Sequence, residues 1–598
     1  MLKRLQSFRQ IHIISLIAAA LLIGLFVFLH YGESWDELQF FKYADNAISS
    51  YSTWPRTGSI PLTGNTYDNY GPAYVIAVDL GARLLTRIIP LTTSDTRHLL
   101  YFFTYLIGIW AFHAFARRWL DQIPASGATL LLAAQPLLWG HAFISPKDIP
   151  FLAFFLLSLE FGFRMVDSLP DAPKPKRNLA FLSAVWLGCV LVLFGATPVI
   201  HTWIDSLVRA AAAGQVNIIT LIASDIHKVD PEIYTQKYFV FFLRARAAFL
   251  LLSTFTLVWL WRKVPLFFRF LSTILPAALL LGVTTSIRVL GPFAALFVVY
   301  YAFRRHGRKA IPALLVYAVI ALAAMYLTWP YLWLDPAGHF IESVRVMSEY
   351  PWRGQVLFNG VDYPSTGLPA SYLPVLLGIQ LTEPVWFLFA AGLAVTVYGS
   401  LKKRMGSQAL LALTLVWFVL PLTGFILTRS PLYDNFRQIF FILPPVFLMA
   451  GVVFERIRRP ILQIALIVLV VLPGVIDGVR LHPYEYTYYN RFIGGEQGAF
   501  RKFELDYWGT SYREAAGWLN RNAPANATIW VEGPAHLLPL YTRPDLKIYS
   551  SYEATRAAHY DFVVALTRYD LDLTSYPGAK VVHVIERDNA LLTVIKKP

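Results

Sequence analysis

Cysteine and charge are both scarce in this sequence of 598 residues. The only cysteine, Cys189, lies within an apolar run, so an intrachain disulfide and a cysteine-based metal cluster are excluded. Only 15% of the residues are charged, against about 25% in a typical soluble protein. The sequence also contains no GxxxxGKS, GxxxxGKT or GxGxxG motif, which disfavours an ATP-driven transporter and a cytoplasmic nucleotide-sugar enzyme.

Apolar residues make up 56% of the chain and fall into long blocks. A helix of about 20 apolar residues crosses the hydrocarbon core of a bilayer. The sequence therefore predicts a polytopic α-helical membrane protein with about thirteen spans, at residues 11–29, 98–116, 124–142, 150–168, 179–199, 246–261, 265–283, 289–303, 311–328, 384–401, 408–427, 437–454 and 460–476.

The net charge of +15 is concentrated in short loops between these blocks, so it indicates orientation and not a nucleic-acid partner. Residues 71–90 carry Asp79, Arg83 and Arg87 at helical spacing, which predicts an interfacial helix and not a span. With that assignment, the basic clusters all fall on the cytoplasmic side. They are Arg117-Arg118, Lys174/Lys176/Arg177, Arg262-Lys263, Arg304-Arg305 with Arg308-Lys309, Lys402-Lys403-Arg404 and Arg456/Arg458/Arg459.

This topology predicts a multi-pass protein of the inner or plasma membrane. Its N-terminus is cytoplasmic, and its long loops and C-terminal tail are on the outer side. The predicted membrane domain, 1–476, carries outer loops at 31–97, 143–150, 200–245 and 329–383. Residues 477–598 predict an outer α/β domain with a helix at 511–522 and strands at 528–532, 561–565, 581–585 and 591–594. The tyrosine-rich start of this tail, 484–489, is typical of a membrane-interface belt.

An adjacent pair of carboxylates, Asp36 and Glu37, follows the first span on the outer side. One carboxylate could act as a general base while the other orients the acceptor or binds a metal. A solvated loop at a helix end is the alternative. The second acidic site is the short turn at 145–150, where Lys147 and Asp148 lie between two prolines that fix the backbone. The alternative there is a rigid turn that marks the membrane boundary.

Arginines also occur at outer span ends, at Arg288 and at Arg437, the latter preceded by Tyr433. An arginine on this side runs against the orientation trend, and its guanidinium suits a phosphate. Snorkelling to lipid headgroups is the alternative for Arg288. Two further outer segments, 329–336 and 350–353, are rich in aromatic residues that either stack on sugars or anchor at the interface.

Together these charges recur at the outer ends of spans and not at the midplane, where an ion-coupled transporter would place them. The pattern suits a substrate with an apolar tail and an anionic head. A polytopic transporter or lipid-carrier flippase of envelope polysaccharide synthesis remains the main alternative, and a non-catalytic assembly or sensor protein is the second.

The run Pro146-Lys147-Asp148-Ile149-Pro150-Phe151, together with Asp36-Glu37, resembles motifs of the GT-C class of membrane glycosyltransferases. The resemblance is to the branch of protein O-mannosyltransferases and the lipid A aminoarabinose transferase. Many bacterial members have Asn-Pro-Lys-Asp-x-Pro-Phe, and this chain departs from that pattern only at Ser145.

The resemblance implies transfer of a sugar from a polyprenyl-phosphate donor to an outer-face protein, glycolipid or polysaccharide acceptor. Asp36 matches the catalytic base, and Asp148 would assist. Lys147, Arg288, Tyr433 and Arg437 are candidates for substrate binding. The family varies in its metal requirement, so a divalent cation such as Mg or Mn on Asp36, Glu37 and Asp148 stays open.

Overall fold

The computed structural model describes residues 2–64, 66–169, 177–223, 225–264, 267–350, 352–550 and 559–598. Lys174 and Lys176 of one predicted basic cluster, and Pro351 of one aromatic segment, lie outside the described residues. The chain forms two compact units: residues 1–38, 78–156 and 349–598 in the first, and residues 39–77 and 157–348 in the second. The predicted domain boundary at residue 477 stays a prediction.

The described part of the chain confirms the predicted class, a polytopic helical membrane protein with a small C-terminal sheet region. Nine of its helices are long and apolar enough to cross a membrane, and a tenth span is formed if the pair Gln122–Ala133 and Pro136–Ile144, bent by 64°, counts as one. Two shorter apolar helices are Leu271–Thr285 and Pro444–Glu455. Each of the thirteen predicted segments is mostly helical over its described residues, while the number of spans and their orientation stay predictions.

The α-helices follow one another in chain order. They are α1 Leu2–Val27, α2 Glu37–Thr57, α3 Ala73–Leu85, α4 Thr93–Ala116, α5 Gln122–Ala133, α6 Pro136–Ile144, α7 Asp148–Asp167, α8 Arg177–Gly195, α9 Thr197–Ala212, α10 Ile218–Ile222, α11 Pro231–Trp261, α12 Phe267–Thr285, α13 Pro292–His306, α14 Ile311–Thr328, α15 Pro336–Ser348, α16 Tyr372–Gln380, α17 Glu383–Leu401, α18 Met405–Thr414, α19 Leu420–Thr428, α20 Pro444–Glu455, α21 Pro460–Leu481, α22 Gly495–Ala499, α23 Tyr512–Asn522 and α24 Leu571–Thr574.

The segment predicted to be interfacial, 71–90, forms the short helix α3 of 13 residues, which is not among the candidate spans. Its carboxylate Asp79 is buried and pairs with Arg83 at 2.6 Å and with Arg97 of α4 at 2.8 Å. Because both arginines neutralise this buried charge, the helix can lie on other protein segments without an unpaired carboxylate. Its position at the membrane interface stays a prediction.

The C-terminal sheet has the strand order β4-β3-β5-β7-β6. Its strands are β3 Thr528–Glu532, β4 Lys547–Ser550, β5 Phe562–Leu566, β6 Lys580–Arg587 and β7 Ala590–Lys597, and a separate hairpin is formed by β1 Gln355–Phe358 and β2 Val361–Pro364. Strands β4, β3 and β5 are parallel, whereas β7 pairs antiparallel with β5 and β6. The predicted helix and four predicted strands are confirmed, while β4 was not predicted.

Two aromatic segments differ from their sequence interpretation. The tyrosines Tyr484, Tyr486, Tyr488 and Tyr489 are at most 1% exposed, so the prediction of an interface belt is wrong for them. Their partners explain the burial: Tyr486 donates to Asp506, Tyr484 to Glu514 at 2.9 Å, and Tyr489 to the carbonyl of Glu504 at 2.9 Å.

In the second unit, Trp329 and Trp333 of the other aromatic segment are also buried. The indole of Trp329 donates to the carbonyl of Asp68 at 3.2 Å. These two rings therefore belong to the core of that unit and are not exposed surfaces on which a sugar could stack.

Candidate active site

The loop that carries Asp36 is held against the C-terminal part of the first unit. The N–H of Trp35 donates to the carbonyl of Trp508 at 3.0 Å, and the hydroxyl of Ser34 donates to the carbonyl of Ile144 at 2.9 Å. Gly32 makes the close approach that this docking requires, because a Cβ there would lie 2.3 Å from the carbonyl oxygen of Thr510. The backbone before Asp36 is therefore fixed on several sides.

The adjacent carboxylates of Asp36 and Glu37 have opposite environments. The side chain of Asp36 is 26% exposed, whereas that of Glu37 is fully buried. Glu37 accepts a hydrogen bond from the N–H of Ser34 at 2.6 Å, and the same oxygen lies 3.4 Å from Nε2 of His98. Glu37 therefore fixes the entry to α2 and does not share the surroundings of Asp36.

The turn between α6 and α7 supplies Lys147 and Asp148. The hydroxyl of Ser145 accepts from the N–H of Asp148 at 3.1 Å and donates to its carboxylate at 3.2 Å, so it caps the first turn of α7. Lys147 is nearly buried, and its Nζ lies 3.8 Å from Oδ2 of Asp36. This capped turn brings a cation to the proposed base.

Arg437 connects the three acidic groups of the site. Its Nη1 donates to Asp148 at 2.9 Å and its Nη2 to Asp434 at 2.8 Å, while Asp36 lies 3.9 Å from Nη2. The guanidinium is fully buried, 4.4 Å from the ring centre of Trp508. The sequence predicted that Arg437 faces a lipid phosphate. In the structure its guanidinium holds the carboxylates of Asp148 and Asp434, and a contact with a phosphate stays a prediction.

Tyr433 lies on another side of Arg437, with the guanidinium carbon 5.2 Å from its ring centre. Its ring packs on Trp352 at 4.7 Å and stacks on Tyr350 at 5.7 Å. The aromatic residues of 350–353 therefore support the arginine through Tyr433. A direct contact of Tyr433 with substrate stays a prediction.

Asp434, Glu504 and Arg568 belong to the same charged group, and the sequence analysis assigned no role to any of the three. Arg568 donates to Asp434 at 2.7 Å and lies 3.5 Å from Glu504. Burial raises the pKa of Glu504 to about 7, with Arg568 lowering it and Asp434 raising it in turn. Glu504 and Arg568 lie 64 residues apart and have no local sequence motif around them.

Arg288, the remaining predicted binding residue, lies in the second unit just after α12 and is nearly buried at 9% exposure. Its backbone N–H donates to the carbonyl of Thr284 at 3.2 Å. The structure thus brings Asp36, Lys147, Asp148, Tyr433 and Arg437 together within one unit. A shared role of Arg288 with them stays a prediction.

The predicted metal ligands do not fit a divalent cation. Asp148 is bonded to Arg437, Glu37 is turned to Ser34 and His98, and Asp36 lies beside Lys147. Among the residues that the structure describes, no three acidic, histidine or cysteine side chains are grouped so that they could hold a metal. The arginine and lysine occupy the positions beside the carboxylates.

The arrangement suits base chemistry at Asp36. Of the four carboxylates in this group, Asp36 at 26% exposure is the open one, because the side chains of Asp148, Asp434 and Glu504 are exposed by 7% or less. Its two nearest cations lie beyond hydrogen-bonding distance, at 3.8 and 3.9 Å. The open oxygen atoms of this carboxylate can therefore accept a proton from an incoming hydroxyl.

Comparison with solved structures finds membrane transferases. Apo ArnT from Cupriavidus metallidurans is 14% identical, with 98% of this chain and 97% of that chain covered, at a TM-score of 0.45. The oligosaccharyltransferase AglB from Archaeoglobus fulgidus, solved with an inhibitory peptide and a dolichol-phosphate, is 13% identical, with 93% and 69% covered, at 0.38. An oligosaccharyltransferase of the same organism, tethered to an acceptor peptide with the NVT sequon, is 15% identical, with 92% and 61% covered, at 0.36.

These neighbours are GT-C glycosyltransferases, the class that the motif around Lys147 and Asp148 resembles. No protein-family model matches the chain, and no curated protein matches it. The residues of the site, and not these similarities, carry the functional proposal.

Proposed function

We propose that the protein is an integral-membrane glycosyltransferase. It moves a sugar from a polyprenyl-phosphate donor to an acceptor hydroxyl on the outer face of the membrane. The observation that carries the proposal is Asp36 itself: an open carboxylate on a fixed loop, with Lys147 at 3.8 Å and Arg437 at 3.9 Å. The capped Ser145 turn, which resembles the family motif, supplies that lysine.

In the proposed reaction Asp36 takes the proton of the acceptor hydroxyl as its oxygen attacks the anomeric carbon of the donor. The bond between that carbon and the phosphate oxygen breaks, and the polyprenyl phosphate leaves with the electron pair. A single displacement inverts the anomeric centre. The acceptor is a protein, a glycolipid or a polysaccharide that carries a hydroxyl.

Lys147 is the cation proposed to bind the phosphate. Its ammonium lies beside the open carboxylate, and Ser145 fixes the turn that carries it. Charge-assisted contacts to the leaving phosphate would stabilise the charge that develops there. Arg437 lies 3.9 Å from Asp36 and holds the carboxylates of Asp148 and Asp434 in place. Asp148 thereby assists by fixing the arginine next to the base.

The first test uses purified protein in liposomes with a panel of undecaprenyl-phosphate glycosides and an outer-surface extract as the source of acceptors. Wild type should release undecaprenyl phosphate from at least one panel member and transfer its sugar. Asp36→Asn should abolish most of this transfer while undecaprenyl phosphate still binds, as measured by native mass spectrometry. Transfer that survives the substitution would remove Asp36 as the base.

The second test addresses the orientation. Single cysteines introduced at both ends of α3, in a chain with Cys189 replaced by alanine, should react with an impermeant maleimide from outside the cell. Labelling from the inside at the C-terminal end of α3 would overturn the proposed topology. Mass analysis of outer-surface glycans with and without the protein would then identify the acceptor.

A further inference from the structure

Arg568 reaches the site from the turn that follows β5, in the C-terminal sheet region. Its side chain is 9% exposed. Nη2 donates to Oδ1 of Asp434 at 2.7 Å, and Nη1 donates to the carbonyl of Tyr507 at 2.8 Å. Two different guanidinium nitrogens therefore hold two different chain segments at once, in the fixed geometry of a planar arginine fork.

Both of these segments adjoin the proposed base. The oxygen of Asp434 that Arg568 leaves free accepts from Arg437, the arginine 3.9 Å from Asp36. Tyr507 precedes Trp508, whose carbonyl accepts from the N–H of Trp35 and whose ring packs on Arg437. Arg568 thus influences Asp36 by two routes, through Asp434 and through the strand of backbone that binds the Asp36 loop.

The guanidinium of Arg568 also lies 5.7 Å from the ring centre of Trp35, the residue next to Asp36. The charged residues around it alternate in sign. They run from Glu504 to Arg568, Asp434, Arg437 and Asp148, with Asp36 beside Arg437 and Lys147 beside Asp36. Removal of the Arg568 guanidinium would leave Asp434 paired with one arginine, Arg437, in place of two.

The backbone at both ends of the ion pair between Arg568 and Asp434 is in the left-handed region. Asp434 and Asn435 have φ of 53° and 62°, and Tyr569 and Asp570 have φ of 57° and 52°. Asp and Asn tolerate this conformation, whereas a tyrosine rarely adopts it. Such backbone persists where the surrounding contacts determine it, and it is concentrated at functional sites.

We infer that Arg568 is a positioning residue for the proposed transfer reaction, so that the C-terminal region completes the active site and is not merely a cap or a separate acceptor-binding module. The inference rests on the proposed function. Arg568 keeps Asp434 and Arg437 in a geometry that leaves Asp36 open, and it adds a positive charge to the group around that residue.

Arg568→Gln tests both effects. It removes a positive charge from the charged group around the proposed base, so the acid limb of the pH profile of kcat/KM should move up by about half a unit. The loss of positioning should lower kcat by about 10- to 100-fold. The assay is release of undecaprenyl phosphate from the panel glycoside that wild type turns over.

Arg568→Lys separates charge from geometry. Because the charge is kept, the acid limb should return to its wild-type position. The kcat should stay below wild type, because a single ammonium nitrogen does not reproduce the two-nitrogen fork that joins Asp434 to Tyr507. If Arg568→Gln does not fold, the lysine variant alone decides: a wild-type kcat overturns the inference, and a reduced kcat with an unmoved acid limb supports it.

Arg543→Gln is the matched control in the same region. Arg543 pairs with Asp545 and donates to the carbonyls of Asn520 and Ala523, away from the site. It should lower the unfolding temperature without moving the acid limb. If Arg568→Gln behaves in the same way, with an unmoved acid limb and a kcat within twofold of wild type, Arg568 is only structural and the inference is wrong.

Failure of the inference and failure of the proposed function give different results. If no panel glycoside is turned over by wild type, or if Asp36→Asn keeps full transfer, the proposed function fails. If wild type transfers sugar and requires Asp36, but neither Arg568 variant changes kcat or the acid limb, only the inference fails.

Discussion

Two acidic clusters adjoin the loop that carries Asp36 and Glu37. Their comparison distinguishes the proposed catalytic groups from the groups that hold the loop in place. The open cluster consists of Asp36, Asp148, Asp434, Lys147 and Arg437, and one of its carboxylates reaches solvent. The closed cluster consists of Glu33, Glu37 and His98, all buried. A single peptide bond joins Asp36 to Glu37, so adjacency in sequence conceals two environments.

The acids of the closed cluster lie among polar groups: Glu37 accepts from the N–H of Ser34 and lies near His98, and Glu33 lies near the side chain of Ser94. Burial, followed by the charge of Glu37, raises the pKa of Glu33 to about 7. The N–H of Glu33 donates to the hydroxyl of Tyr541 at 2.8 Å, which ties the loop to the C-terminal region. In the open cluster Arg437 holds two carboxylates and a third stays open, whereas in the closed cluster the acids are buried and fix the backbone of the loop.

The largest expected effect contrasts the two neighbouring acids. Asp36→Asn should lower transfer by about 10²- to 10⁴-fold, the usual contribution of a general base, with an unchanged unfolding temperature. Glu37→Gln should lower the unfolding temperature and reduce transfer much less, because Glu37 supports the loop through Ser34 and His98. Rates from the glycoside assay and thermal unfolding in detergent measure both.

An equal loss of transfer in Glu37→Gln, at wild-type stability, would break this contrast and make both acids catalytic. Asp36→Glu is a useful companion variant. It keeps the carboxylate but moves it by one methylene, so intermediate activity indicates that the position of the base matters.

Asp148→Asn should have the next largest effect, on stability. It would leave the fully buried Arg437 with Asp434 as its remaining close carboxylate, and breaking a buried ion pair typically costs about 3–5 kcal/mol. Asp167→Asn is the matched control, because Asp167 pairs with the half-exposed Arg305. An exposed pair of that kind contributes about 0–1 kcal/mol. Equal unfolding midpoints for the two variants would contradict the role given to Arg437.

How much of this the sequence could predict depends on the distance over which each signal acts. The strands β3, β5, β6 and β7 were predicted because their apolar, β-branched residues recur locally. Strand β4, Lys547–Ser550, was not, since it is short, has polar ends and acquires its structure by pairing with β3. The thirteen apolar segments were predicted for the same local reason.

The site follows the same rule. Asp36 and the Lys147-Asp148 turn were found from short motifs, whereas Asp148 and Arg437 lie 289 residues apart and Asp434 and Arg568 lie 134 apart. Single-sequence patterns carry no information about such pairs. The buried tyrosines were misassigned for this reason too, because the acids that satisfy their hydroxyls lie 20 to 30 residues further on.

Glu504→Gln should have a smaller effect that depends on pH. Burial raises the pKa of Glu504 from its ordinary 4.5 to about 7 in the folded chain. Between these values the unfolded chain releases a proton that the folded chain keeps, so the free energy of unfolding falls as pH rises, by at most about 3 kcal/mol. Glutamine removes this dependence.

The unfolding temperature of Glu504→Gln, relative to wild type, should therefore rise between pH 5 and pH 8. Glu33→Gln in the closed cluster should show the same trend, since the pKa of Glu33 is raised to a similar value. Glu586→Gln, at an exposed position of β6, is the control and should show no trend. A flat profile for Glu504→Gln would contradict its burial in the ionised network.

The smallest expected effect concerns Ser145, the one departure from the family motif. Ser145→Ala removes the cap of α7 and should cost about 1 kcal/mol of stability. Because the cap also fixes the turn that carries Lys147, the KM for the glycoside donor should rise more than kcat falls. Ser145→Asn should keep both stability and KM near wild type, since asparagine caps a helix as well as serine does.

If the alanine variant instead lowers kcat alone, the turn acts on the base and not on the phosphate, and the division of roles between Lys147 and Asp36 would have to be reversed.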